Sequence, residues 1–219
     1  MFTGIVEEVG TVRALRRGAH SATLSIGAHT VFENTRLGDS IAVNGVCLTV
    51  TSLGPNQFSA DVMHETLRHS NLGSLHAGSP VNLERAMAAD GRFGGHVVSG
   101  HIDAVGTIRR IQHDDNAVWY TIDADEGTLR HIIMKGSIAI DGISLTVARL
   151  ARDSFAVSII PHTRAETTLP TKQIGDEVNL ETDLIGKYVE RFLAIPSSPP
   201  STAVDSGGIT RSFLATHGF

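Results

Sequence analysis

Two short apolar runs carry polar side chains that could act on a ligand. Cys47 and Thr49 lie two residues apart in one run, and Ser144 and Thr146 lie two residues apart in the other. On a β-strand, side chains at i and i+2 point to the same face. Polar groups on one face of an apolar segment need hydrogen-bond partners if they are buried. Each pair is therefore a candidate for binding or nucleophilic chemistry, although a lone cysteine such as Cys47 also suits the role of a small buried hydrophobic residue.

Histidine offers a second kind of chemistry. His101 follows a Val-Val-Ser-Gly run, and its imidazole titrates near neutral pH, which suits proton transfer. His96 lies five residues earlier, so on a strand the two rings would face opposite sides and would not form a metal-binding pair. The sequence therefore favours His101 as an acid or base and predicts no metal site.

The elements that position these residues come from an internal repeat. Four blocks recur in the same order, at 4–12 and 100–108, 40–50 and 137–147, 58–72 and 155–169, and 78–84 and 175–181. The first pair is separated by 96 positions and the other three pairs by 97. Four ordered blocks at a nearly constant separation indicate a duplicated unit the size of a small domain.

The repeat predicts four regions along the chain. They are an N-terminal ligand-binding domain at 1–96, a C-terminal one at 97–183, an association helix at 184–195 and a disordered tail at 196–219. The helix has Ile185, Val189, Phe192 and Leu193 on one face, and Asp183 is placed to cap its start. This apolar face either folds back on its own chain or associates with other copies. The Pro-, Ser- and Gly-rich composition of the tail is typical of disorder.

Each unit is predicted to be an all-β barrel. Strands rich in β-branched residues are expected at 5–12, 41–43, 47–52, 58–62 and 81–84, with counterparts in the second unit and an added strand at 118–122. Asn44-Gly45 and Asp141-Gly142 predict type I′ hairpins. Short helices are expected at 64–70, from Pro161, and at 126–134. Many short strands without a long helical period favour a closed or nearly closed barrel.

Positions where only one copy has a reactive residue are candidates for chemistry. They are His101 opposite Ile5, Cys47 opposite Ser144, Asp183 opposite Ala86, and Lys135 opposite Gly38. Lys135 has a simpler interpretation as a solvated side chain.

Composition narrows the function class. The chain has 219 residues and a net charge of −5, which gives no basic surface for nucleic acid. One cysteine excludes an intramolecular disulfide. No signal peptide and no apolar run of about 20 residues is present, so we expect a soluble cytoplasmic protein that does not bind membranes.

Four segments of the chain, at 1–6, 44–50, 94–102 and 141–147, resemble the riboflavin synthase α-chain. The resemblance runs from Met1 to about Leu193. It implies an all-β fold of two tandem six-stranded Greek-key barrels plus a C-terminal α-helix. It also implies a homotrimer in which each barrel binds one 6,7-dimethyl-8-ribityllumazine. The implied reaction is a dismutation in which one lumazine donates a four-carbon unit to the other, giving riboflavin and 5-amino-6-ribitylaminouracil without any cofactor or metal.

The resemblance also implies site residues. The catalytic set is His101 for proton transfer, Cys47 and Ser144 near C7 of the ligand, Thr146 at the pteridine edge with Thr49, and Asp183 with Lys135 in the second site. The substrate-binding set is Gly4, Ile5, Val6, Ser40, Cys47, Leu48, Thr49, Asp61, Val62, Met63, His64, Glu65 and Thr66 for the first barrel, and Gly100, His101, Ile102, Lys135, Ser144, Leu145, Thr146, Ser158, Ile159, Ile160, Pro161, His162 and Thr163 for the second.

Two alternatives and one further partner are open. A non-catalytic lumazine- or flavin-binding protein has the same duplicated fold but departs from the pattern at the reactive positions. A flavin- or NAD-dependent reductase would need a dinucleotide-binding βαβ unit, which the sequence does not contain. Association with lumazine synthase, the enzyme that makes the substrate, is a further expected interaction.

Overall fold

The structure is a computed structural model that describes residues 1–18, 21–194 and 211–217. Two compact units divide the chain, Met1–Lys187 and Tyr188–Phe219. The first unit holds two closed barrels of six antiparallel strands each, so the predicted fold class is confirmed.

The first barrel is closed in the order β1-β2-β5-β4-β3-β6. Its strands are β1 (Glu8–Arg17), β2 (Ser21–Gly27), β3 (Ser40–Val43), β4 (Val46–Gly54), β5 (Gln57–Met63) and β6 (Pro80–Arg85). The prediction missed β2, which is the counterpart of the strand at 118–122. Its Ser-Ala-Thr-Leu-Ser-Ile-Gly sequence lacks aromatic residues, yet Ala22, Leu24 and Ile26 alternate into the core.

The second barrel repeats this order as β7-β8-β11-β10-β9-β12. Its strands are β7 (Ala104–Asp114), β8 (Ala117–Asp123), β9 (Ser137–Ile140), β10 (Ile143–Leu150), β11 (Ser154–Ile159) and β12 (Glu177–Thr182). Each barrel encloses its own cluster of buried aliphatic residues around one phenylalanine, Phe58 in the first and Phe155 in the second.

Both predicted hairpins are confirmed. The φ angles are 46° and 81° at Asn44 and Gly45, and 46° and 79° at Asp141 and Gly142, as a type I′ turn requires. The two turns also meet each other, because a Cβ added to Gly45 would lie 2.7 Å from the backbone nitrogen of Gly142. Glycine is therefore needed here for both the turn and the contact between barrels.

A buried polar network joins the barrels beside these turns. The Asn82 side chain donates to the Asp141 carbonyl oxygen at 2.9 Å, and Asn179 donates to the Asn44 carbonyl oxygen at 2.8 Å. Asn71 donates to the Asp141 carboxylate at 2.7 Å. Because these groups satisfy one another across the interface, they fix how the barrels are placed within the first unit.

The helices are short. They are α1 (His64–Arg68), α2 (Glu126–Leu129), α3 (Pro161–Ala165), α4 (Leu184–Ala194) and α5 (Arg211–Thr216). The predicted helix at 126–134 ends early at Leu129, because the next backbone bonds, from His131 to Thr128 and from Ile132 to Leu129, tighten to three-residue spacing. Asp183 does cap α4, accepting the Ile185 N–H at 2.9 Å.

The predicted tail is described only in part. Residues 211–216 form α5, where the sequence predicted no structure. The rest of the tail prediction, at 196–210 and 218–219, lies outside the described residues. Among the described helices, none is long and apolar enough to cross a membrane.

Candidate active site

Two segments that precede the barrels each contact the opposite barrel as well as their own, and we call this reciprocal contact the exchange. We call residues 1–6 the first lead-in and residues 97–102 the second lead-in. The Gly4 carbonyl oxygen accepts the Ser144 N–H of the second barrel at 2.7 Å, and the Gly100 carbonyl oxygen accepts the Cys47 N–H of the first barrel at 2.9 Å. Val6 packs on the second core and Ile102 on the first.

The exchange changes how the predicted residues are grouped. The sequence placed residues 4–6 with the first barrel and 100–102 with the second, because each lead-in belongs to its own repeat. The structure instead brings the first lead-in to Ser144 and the second to Cys47. The lead-ins also pair with each other, Phe2 donating to the Val98 carbonyl oxygen at 2.7 Å and Val98 to that of Phe2 at 3.1 Å.

Glycine lets each lead-in approach its strand. Gly4 has a φ of 77°, and a Cβ there would lie 2.6 Å from the Ser144 Cβ. Gly100 has a φ of 87°, and its Cβ would lie 2.5 Å from the Cys47 Cβ. Both the positive φ and the short separation exclude larger residues.

A buried glutamate from each barrel's last strand holds the lead-in of the same repeat. Glu181 on β12 accepts four bonds, from the Ser99 N–H at 2.6 Å, the Ser99 hydroxyl at 2.8 Å, the Gly100 N–H at 2.9 Å and the His101 N–H at 3.2 Å. The sequence analysis did not single out this residue. Its signal was a glutamate closing both copies of the last repeated block.

Glu84 on β6 holds the first lead-in in the same way. It accepts the Thr3 N–H at 2.6 Å, the Thr3 hydroxyl at 2.8 Å and the Gly4 N–H at 3.0 Å. Burial raises the pKa of Glu84, and the bonds from Thr3 and Gly4 partly offset that rise. The two glutamates therefore hold the lead-ins in place through these hydrogen bonds.

The first cluster lies at Cys47, whose N–H donates to the carbonyl oxygen of Gly100, the residue before His101. Cys47 is half-buried, Leu48 points into the core, and Thr49 is exposed, so Cys47 and Thr49 share the outward face as predicted. His101 follows the Gly100 contact and is exposed, with its Nδ1 3.2 Å from the Ser99 hydroxyl.

The second cluster lies at Ser144 and includes a histidine that the sequence analysis did not select. The His96 Nδ1 is 2.6 Å from the Ser144 Oγ, and His96 is only 8 % exposed. Thr146 is exposed on the same strand face as the half-buried Ser144. His96 had been considered only as a metal partner of His101, because nothing in its spacing links it to Ser144.

Electrostatics around His96 favour the neutral ring. Burial lowers the pKa of His96, and the charges of Asp183 and Glu181 act in the opposite direction. The His96 Nε2 is buried and has no hydrogen-bond partner. The imidazole is therefore neutral near pH 7, with two carboxylates placed to favour its charged form.

The remaining predicted residues lie around these clusters. Lys135 is exposed with a φ of 64°, and its N–H donates to the Val147 carbonyl oxygen at 2.8 Å, one residue beyond Thr146. Asp183 caps α4, and Ser40 pairs with Thr49 across β3 and β4. The segments 61–66 and 158–163 run from the ends of β5 and β11 into α1 and α3. Their roles in binding or catalysis stay predictions.

The cavities of the chain only partly coincide with these clusters. A cavity of about 760 Å³ lies beside the first lead-in and includes Ile5 and Ser40. A second, of about 420 Å³, lies at α1 and includes His64. Cys47 and Ser144, both half-buried, line neither of these two cavities. Within the described part of the chain, no group of three or more His, Cys, Asp or Glu side chains is arranged to hold a metal ion.

Known proteins show the same duplicated pattern. The sequence profile of the family described as "Lumazine binding domain" matches residues 3–86 and 99–183. The riboflavin synthase of Actinobacillus pleuropneumoniae is 54 % identical and that of Bacillus subtilis (strain 168) is 48 % identical, each over 100 % of both chains. The crystal structure of LumP complexed with riboflavin has a TM-score of 0.78 and 23 % identity, covering 83 % of this chain and 99 % of that one. This last likeness concerns the fold.

Proposed function

Because the chain belongs to the lumazine-binding domain family, we propose that it is a riboflavin synthase and catalyses the final transfer step of riboflavin biosynthesis. It converts two molecules of 6,7-dimethyl-8-ribityllumazine into riboflavin and 5-amino-6-ribitylaminouracil. The observation that carries this proposal is the 54 % identity to a riboflavin synthase over the whole of both chains. The enzyme is a transferase, since a four-carbon unit passes from one lumazine to the other.

The two clusters suit a reaction between two identical substrates with different roles. One cluster offers the Cys47 thiol and His101, and the other offers the Ser144 hydroxyl with His96. In our proposal each cluster holds one lumazine, and the unequal groups decide which molecule donates. Holding two planar molecules in a reactive arrangement can lower the barrier by about 7–11 kcal/mol, and proton transfer adds typically about 10²–10⁴-fold.

The proposal includes specific roles for individual residues. His101 moves protons at the first site, Cys47 and Ser144 contact the ligand near C7, and Thr49 with Thr146 bind the pteridine edge. The first site is built from residues 47–49, 61–66 and 100–102. The second is built from 144–146, 158–163, 4–6 and Lys135, with Asp183 close to His96. Support comes from the exchanged lead-ins, which place atoms of both repeats at each cluster.

The active assembly is proposed to be a cytoplasmic homotrimer. Helix α4 exposes a run of apolar side chains, with Tyr188 56 %, Phe192 66 % and Leu193 81 % exposed. A face of this kind is stabilised by contact with other copies. Analytical ultracentrifugation tests this, and a Phe192→Ser variant should sediment as a smaller species. Association with a lumazine synthase would appear in the same experiment as a larger, mixed species.

The direct test mixes the purified protein with 6,7-dimethyl-8-ribityllumazine and follows riboflavin by absorbance and fluorescence. We expect one riboflavin for every two lumazines consumed, with an equal amount of 5-amino-6-ribitylaminouracil. Tight binding without turnover would instead support the non-catalytic lumazine-binding protein and would overturn the proposal.

A further inference from the structure

His96 is placed behind Ser144 as a hydrogen-bond partner. The His96 Nδ1 lies 2.6 Å from the Ser144 Oγ, which is short for a bond between neutral groups. Two further features position the backbone that carries His96. The His96 N–H donates to the Thr3 carbonyl oxygen at 3.1 Å, and a Cβ on the preceding Gly95 would lie 2.9 Å from the Ser144 Cβ. The backbone at Gly95 and His96 is therefore held close to Ser144.

The equivalent position in the other repeat lacks this arrangement. Cys47 is the counterpart of Ser144, and among the hydrogen bonds of the described residues none involves the Cys47 thiol. The first cluster instead has His101, whose ring is exposed and whose Nδ1 faces Ser99. The Ser144–His96 pair is thus specific to the second site.

We propose that His96 is a positioning residue that receives a proton through Ser144 from the lumazine bound at the second site. This inference rests on the proposed function. Ser144 donates its hydroxyl hydrogen to the His96 Nδ1, which leaves the lone pairs of the Ser144 Oγ directed at the ligand. His96 does not contact the ligand itself.

The proposed step is a balanced proton transfer. A C–H bond of the ligand's 7-methyl group breaks, and its electron pair stays on the ligand, delocalised into the pteridine ring. The proton passes to the Ser144 Oγ while the Ser144 hydroxyl proton passes to the His96 Nδ1. The imidazolium formed is stabilised by the charges of Asp183 and Glu181, and the proton returns by the same path. No oxidant, reductant or other reactant is consumed.

The neutral starting state of the ring supports this direction of transfer. Burial lowers the pKa of His96, so the ring is a free base at neutral pH and can accept a proton. The carboxylates that face it are those of Asp183, which caps α4, and Glu181 on β12. As the pH falls through the pKa of His96, the ring takes up a proton and the relay stops.

The His96→Asn variant tests proton transfer separately from the hydrogen bond that positions Ser144. The asparagine amide lies where Nδ1 does in histidine, so it keeps a hydrogen bond to Ser144 but does not accept a proton. We expect kcat to fall by about 10²-fold or more with little change in KM. The acid limb of the kcat–pH profile should disappear. Loss of the 7-methyl proton signal of bound lumazine in D₂O, followed by NMR, should slow by a similar factor.

Two further variants complete the experiment. Ser144→Ala should give the same loss, and the double variant with His96→Asn should lose no more than either single one, because both remove one relay. His113→Asn, an exposed residue near the β7–β8 turn, is the matched control and should behave as wild type.

Each outcome has a definite meaning. Wild-type turnover and methyl exchange in both His96→Asn and Ser144→Ala would overturn the inference while leaving the proposed function intact. A loss in His96→Asn that keeps the acid limb would also overturn it, since the role would then be purely structural. If wild-type protein itself formed no riboflavin, the proposed function would fail instead.

Discussion

Replacing Glu181 by glutamine should release the lead-in that carries His101. Glu181 is 1 % exposed and accepts four hydrogen bonds, two on each carboxylate oxygen. Glutamine has one acceptor oxygen, so two of the four bonds are lost and an NH₂ group then faces N–H donors. A buried hydrogen bond to a charged group is worth about 1.5–3 kcal/mol, so the loss is about 3–6 kcal/mol.

This loss should appear partly as local opening. The second lead-in can detach from β12 while both barrel cores stay intact, so we expect a fall of about 3 kcal/mol in the free energy of unfolding. His101 would then move relative to Cys47. A misplacement of about 1 Å at a reacting group can cost about 10²-fold in rate, and we expect kcat to fall by about 10–100-fold.

The matched control is the equivalent glutamate of the other repeat. Glu84 accepts three bonds, two from Thr3 on one oxygen and one from Gly4 on the other. Glutamine in place of Glu84 keeps the Thr3 bonds and loses only the Gly4 bond, so the expected cost is about 1.5–3 kcal/mol. The two variants thus test how a buried glutamate holds a lead-in, with different numbers of hydrogen bonds lost.

Hydrogen exchange by mass spectrometry distinguishes the two lead-ins. Glu181→Gln should speed exchange at 99–101 and leave the Thr3 and Gly4 amides protected by Glu84, while Glu84→Gln should do the reverse. Turnover is measured on the same samples. Unchanged protection of 99–101 in Glu181→Gln would refute the reasoning, as would equal opening of both lead-ins in either variant.

Substitutions at four other residues give further predictions. Gly100→Ala should destabilise the fold by about 1–3 kcal/mol in urea unfolding, since alanine meets Cys47 at a positive φ; no loss would contradict the close approach. Asp141→Ala should cost about 3–5 kcal/mol, because Lys172 loses the carboxylate that lies 3.2 Å from its Nζ and keeps only the Glu177 carbonyl oxygen. Burial raises the pKa of Asp141, so the folded state holds its proton more tightly than the unfolded chain. Wild-type stability relative to Asp141→Asn should therefore fall as the pH rises above about 4, which urea midpoints at several pH values would check. His101→Gln and Cys47→Ser should bind lumazine normally and turn it over more slowly, and wild-type rates would rule out their proposed roles.

Much of the fold could be predicted from the internal repeat. The Asn-Gly and Asp-Gly dipeptides fixed two hairpins, because only a few residues tolerate positive φ at both central positions. β2 escaped prediction because its alternating residues are small and polar between Ala22, Leu24 and Ile26. The α2 helix was predicted too long, because apolar spacing does not show where backbone bonds change from four-residue to three-residue spacing.

The candidate site was harder to predict than the fold. Cys47, Ser144 and His101 were selected because the copies differ there, and their roles stay predictions. The exchange of the lead-ins was missed, since an alignment of repeats assigns each segment to its own barrel and carries no information about contacts between barrels. His96 was missed for the same reason, because its link to Ser144 spans 48 residues and depends on that exchange.

The exchange determines which of the residues that differ between the two repeats lie close together. If each lead-in contacted only its own barrel, Cys47 would lose its bond to the segment that carries His101, and Ser144 would lose its bond to the segment that carries Ile5. Because the lead-ins cross, the thiol of Cys47 lies next to the segment that carries His101, and the hydroxyl of Ser144 lies next to the segment that carries Ile5. The Ser144 hydroxyl forms its hydrogen bond with the buried His96. One cluster therefore has Cys47 bonded to the backbone next to His101, and the other has a hydroxyl bonded to a buried imidazole. In the proposed reaction, two barrels of the same topology would thereby present two different acid–base environments to two identical substrates.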